Sequence, residues 1–95
     1  MNIKELHAQE KPVSAISLFK SEQGNATAIQ ILQGDKLNEH ITKTPALLIC
    51  VKGEAIFENE KGLKEILFPG DYVNIEAMVK HWVKGIADSQ LILIK

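Results

Sequence analysis

The chain has 95 residues, 45% hydrophobic and 24% charged, with a formal net charge of -1 from 11 basic and 12 acidic groups. This length predicts one domain, 1–95, with no room for a second. The charge balance gives no electrostatic footprint for nucleic acid or an anionic membrane.

All 11 basic residues are lysine. The planar fork with which arginine grips carboxylates, phosphates and guanine is therefore missing, which argues against nucleic-acid readout. The start, Met1 to His7, carries charge where a signal peptide needs an apolar stretch, and no window has the apolar length of a membrane span. Cys50 is the single cysteine, so neither an internal disulfide nor a Cys-x-x-Cys zinc pair exists. These features predict a cytoplasmic protein with a reduced thiol.

In chain order, residues 1–14 read as an irregular lead-in, with at most a helical turn over Leu6–Lys11 and with His7 in solvent. Ala15–Lys20 reads as a strand, Ser21–Asn25 as a turn and Thr27–Leu32 as a second strand. Ala46–Val51 is an apolar run, Lys52-Gly53 a bend, and Glu54–Glu58 a further strand. Asn59–Gly62 is a polar hairpin loop before the strand Leu63–Phe68. Pro69-Gly70-Asp71 is a tight turn, with proline pre-setting one dihedral and glycine supplying a positive one. Tyr72–Ile75, His81–Ile86 and Leu91–Ile94 complete the set. Short strands punctuated at even intervals, with no helical stripe and no connection long enough for a helical crossover, predict an antiparallel all-β sandwich or barrel. The four successive apolar residues of Leu91–Ile94 imply burial on both faces or a second subunit against one of them.

Two segments carry a resemblance. Gly34 is followed after five residues by His40, then Thr42 and a later Gly53. Gly70 is followed by His81 at a matching separation, with Pro69-Gly70-Asp71 as the turn. This layout resembles the two signature motifs of the cupins, small jelly-roll β-barrels, over roughly Leu32 to the C-terminus. The resemblance implies a single-domain cupin jelly-roll with a metal or ligand site in the barrel. The ligand set is reduced: Thr42 stands for the second histidine of His-x-His, and Ala46 for the glutamate. Glu76 and Met78 replace the proline and glycine of the second motif. Of four usual ligands, His40 and His81 remain.

A divalent transition metal on two histidines is held loosely, since such sites use at least three protein ligands. Cys50 shares strand parity with Ala46 and Leu48, so it either completes a His-His-Cys set or is simply a small core residue. Asn38, His40 and Thr42 fall on one face if that segment is extended. With Leu48, Cys50, Val83 and His81 they define a candidate ligand site with an apolar wall and a few polar groups. An equally plain reading is a polar rim facing water. Trp82 has the opposite parity to His81 and, with Met78 and Val79, reads as a dimer contact, a pocket lid or cover for a small satellite core.

No nucleophile–base set and no phosphate-binding glycine loop is present. The leading expectation is a small-molecule-binding cupin, homodimeric, without a tightly held metal. The alternative is a metal-dependent enzyme that oxidises or isomerises a small organic substrate through His40 and His81. Whether the protein catalyses anything is open at this point.

Overall fold

The computed structural model describes residues 1–95 and is extended almost throughout. A short 3-10 helix, Ile3–Leu6, precedes nine strands: β1 (Val13–Ser21), β2 (Gly24–Ile31), β3 (Lys36–His40), β4 (Ala46–Lys52), β5 (Ala55–Asn59), β6 (Lys64–Leu67), β7 (Tyr72–Ile75), β8 (His81–Gly85) and β9 (Ser89–Ile94). No helix is long and apolar enough to cross a membrane. The strands form a five-stranded sheet, β1-β2-β9-β4-β7, facing a four-stranded sheet, β3-β8-β5-β6, with every pairing antiparallel. From β3 onward the chain passes back and forth between the sheets, the winding of a jelly roll.

Alternation along each strand sends one set of side chains inward. Ile29, Leu48, Cys50, Phe57, Val83 and Leu91 belong to a buried core cluster of 13 residues between the sheets. The opposite face of the larger sheet is unusual for a surface. Register places Ile16, Ala28, Ile92, Ile49 and Tyr72 in one cross-strand row, and Phe19, Ala26, Ile94 and Leu47 in the next. The first row is apolar throughout and the second is apolar up to Asn74 on β7, which opposes Leu47; Phe19 and Tyr72 are each 63% exposed. This accounts for the unbroken apolar run at the end of the chain: its alternate residues serve core and outer face in turn.

The turn Phe68–Asp71 carries the chain from the smaller sheet to the larger. The Asp71 amide donates to the Phe68 carbonyl at 2.8 Å, the Asp71 carboxylate accepts from the Phe68 amide at 2.9 Å, and Gly70 has φ +94°. That is the dihedral a Pro-Gly turn demands. At the same end of β4 Ser89 Oγ accepts from the Glu54 amide at 3.1 Å and lies 3.0 Å from the Glu54 carbonyl, pinning β9 to the entry of β5.

The lead-in departs from expectation. It is an ordered strap over the outer face of the larger sheet, and its helical turn lies at Ile3–Leu6, ahead of Leu6–Lys11. His7 is 6% exposed, a correction to its expected place in solvent, and its Nδ1 lies 2.7 Å from Ser14 Oγ. The Gln30 amide explains the order: its Nε2 donates to the Ala8 and Lys11 carbonyls, both at 3.0 Å. A buried side-chain amide anchors the strap's backbone where sequence pattern showed only mixed charge.

Candidate functional site

β3 and β8 are neighbours in the smaller sheet, and their register sets the site. Leu37 pairs with Val83 and His40 with His81. Between these pairs Asn38 and Glu39 on β3 oppose the single Trp82 on β8, a bulge that absorbs one residue. The bulge returns both Leu37 and His40 to the inner side. It also breaks the expected alternation: Asn38 is exposed, while Thr42 lies beyond the strand at 4% exposure. The Thr42 carbonyl accepts from the Met78 amide at 2.8 Å, beside the loop that leads into His81, and its Oγ1 is buried without a partner.

The imidazoles of His40 and His81 meet. Their Nε2 atoms are 3.0 Å apart, and the ring centroids lie 4.1 Å apart in an edge-on arrangement. Each ring is oriented the same way, from the backbone two residues earlier. His40 Nδ1 lies 2.9 Å from the Asn38 carbonyl and His81 Nδ1 3.1 Å from the Val79 carbonyl. A carbonyl only accepts, so both Nδ1 atoms donate. Both Nε2 lone pairs then converge, and a single proton between them turns a repulsion into a hydrogen bond. A proton placed there would leave one positive charge on the pair, a state that the burial of His81 disfavours.

His81 is 2% exposed and stacks on Phe57, ring centroids 5.6 Å apart. Burial pushes its pKa below the ordinary histidine value; the Val79 carbonyl opposes this, and His40 and Lys95 reinforce it. No aspartate or glutamate forms an ion pair with either ring, the ion pairs of the chain being Met1 with Glu5 and Lys61 with Glu76. A proton held between the two rings would have no protein counter-ion.

Of the remaining predicted site residues, Leu48, Cys50 and Val83 lie in the packed core. The principal hollows of the surface are lined by other side chains. The Cys50 thiol lies 3.6 Å from the Lys52 carbonyl and 4.0 Å from that of Gly53, at the Gly53 end of β4. The His-His-Cys set is therefore corrected: no three histidine, cysteine, aspartate or glutamate side chains are grouped to hold a metal. The metal site implied by the cupin resemblance does not fit these donors, because two imidazole nitrogens stand where a chelating set needs at least one more protein ligand.

What the sequence did not show is a groove. β1 is the edge of one sheet and β3 of the other, and no strand pairing joins them. Along this seam Lys11, Lys36, Asn38 and His40 surround a floor of Val13 and Leu37. Lys36 Nζ also lies 5.7 Å from the Trp82 ring centroid, so the half-buried Trp82 forms a cation–π contact on the outer face. The groove was hidden because Lys11 and Val13 come from a segment far in sequence from β3.

No family model matches the chain, and no curated protein matches it in sequence. Its fold does match solved structures. A cupin superfamily protein from Desulfitobacterium hafniense aligns with 98% of this chain and 84% of its own, at 20% identity and a TM-score of 0.85. A cupin-2 domain containing protein from Shewanella frigidimarina aligns over 100% of this chain and 92% of its own, at 14% identity and TM-score 0.79. KdgF from a Halomonas species aligns over 93% and 82%, at 20% identity and TM-score 0.79. The protein is an all-β antiparallel jelly roll. It has the cupin fold.

Proposed function

We propose that this cupin-fold protein binds a small organic anion at the seam between its sheets, through His40 and its proton-sharing partner His81, without a tightly held metal. One observation carries the reading: two Nε2 atoms 3.0 Å apart, both Nδ1 atoms committed to carbonyls, and no carboxylate to balance the shared charge. An anion in the groove supplies that balance, with Lys11 and Lys36 adding positive charge and Asn38 a hydrogen-bonding amide. The apolar floor accommodates the carbon skeleton. The bland alternative, a polar rim satisfied by water, leaves the charge uncompensated.

A second copy of this chain is the partner we propose for the outer face of the larger sheet. Its two apolar rows are wide, flat and free of charged side chains at the positions named above, the surface a sheet-on-sheet dimer buries. This moves the expected contact away from Trp82. Sedimentation should show a dimer for wild type and a monomer for Phe19→Glu; a monomeric wild type at high concentration overturns the proposal.

The site is tested by metal analysis and thermal melts on protein purified without chelator. Expected are substoichiometric metal and a melting temperature raised by small carboxylates in wild type but not in His40→Ala. Near-stoichiometric metal, lost in both His40→Ala and His81→Ala, overturns the reading in favour of a metal-dependent enzyme.

A further inference from the structure

A second polar hollow lies along the strap, on the outer face of the larger sheet. Gln30 and Gln90 sit side by side on neighbouring strands, paired in register, and are 2% and 6% exposed. Their amide orientations are fixed by the backbone. Gln30 Nε2 lies between the carbonyls of Ala8 and Lys11, which only accept, so that end must be the NH2 group. Gln30 Oε1 then faces Gln90 and accepts from its Nε2 at 2.9 Å. This chain of donors leaves Gln90 Oε1 turned away, buried and without a partner.

Gln30 and Gln90 line a hollow of about 220 Å³ together with Lys4, Lys52 and Asp88. Neither lysine is in an ion pair, and Asp88 Oδ1 accepts from the Gln33 amide at 2.8 Å. The lining thus offers two ammonium groups and one carboxylate, while Gln90 Oε1 is itself shielded from the surface.

We infer that this hollow is a binding site for a small dicarboxylate carrying an ammonium group, an acidic amino acid. Lys4 and Lys52 match the two carboxylates, and Asp88 matches the ammonium. The size suits a molecule of this class. Lys4 belongs to the strap, and the Ala8 and Lys11 carbonyls set the amide chain, so the site is complete only with the strap seated. It shares no side chain with the His40 groove and stands or falls separately from it.

The test is titration of the full chain with L-aspartate and with succinate, the dicarboxylate lacking the ammonium, read by calorimetry and by the side-chain NH2 cross-peaks of Gln30 and Gln90. L-Aspartate should shift both cross-peaks, with succinate at least about tenfold weaker. Lys52→Met and Lys4→Met, each at an exposed position, should each weaken about tenfold the binding read at these two cross-peaks. No shift of the Gln30 and Gln90 cross-peaks up to about 10 mM, or equal affinity for succinate read at them, would each overturn the inference.

Discussion

Met78 stands where the second cupin motif has glycine, and its backbone still takes the glycine conformation. Its φ is +66°, in the left-handed region, and it is the one non-glycine residue of the chain there. A left-handed L-residue costs about 1–2 kcal/mol. The side chain is 62% exposed, so it recovers little by burial. Met78→Gly removes the backbone strain and adds about 0.5–1 kcal/mol of unfolded-state entropy. The amide's bond to the Thr42 carbonyl is untouched. The net expectation is a gain of about 0.5–1 kcal/mol, which for a domain of this size raises the melting temperature by about 2–8 °C. Met78→Val should go the other way, since a β-branched side chain crowds a left-handed backbone further. Calorimetry on the three proteins at one concentration is the assay. An unchanged or lowered melting temperature in Met78→Gly would show that the loop before His81 is not strained as argued.

Three further outcomes follow from the geometry. Gly53 has φ +91°, and an added Cβ would press on the Asp88 carbonyl and lie 2.6 Å from Ser89 Oγ, so Gly53→Ala should cost about 3 kcal/mol or more in urea denaturation. Burial first, and Asp71 second, push the Cys50 thiol above its ordinary range, so the native protein at about pH 8 should react with a disulfide reagent only as fast as it opens; rapid stoichiometric labelling would refute this. His7 and His81 are both held below the ordinary value of 6.5, His7 by burial and then by Lys11, His81 by burial foremost. The unfolded chain then binds more protons from pH 6.5 down to the folded values, so stability is full above that pH and declines as pH falls below it. His7→Asn should flatten that decline in denaturant titrations across the window.

The strands were legible because turn chemistry punctuates them: Tyr72–Ile75 falls where Pro69-Gly70 and the next loop bound it, and the rest lie within a few residues of expectation. The meeting of His40 and His81 followed from motif spacing. What periodicity could not show was the extra residue between Leu37 and His40, because a bulge is a property of two strands together. It puts Leu37 and His40, three residues apart, on the same side of the strand. The strap was illegible for a similar reason. Its order comes from Gln30 and Ser14, which are polar residues at buried outer positions, and a pattern of hydrophobicity assigns such residues to solvent.

The two sheets have a second unpaired boundary, between β6 and β7, bridged by the Phe68–Asp71 turn. With neither edge joined by a strand ladder, the halves of the sandwich are held by core packing and by the Ser89–Glu54 contacts, and spreading one margin about that turn would close the other. A guest wedged beside His40 would spread one margin and close the other. Binding should therefore slow deuterium uptake in Lys64–Leu67, on the far margin of the molecule from the guest.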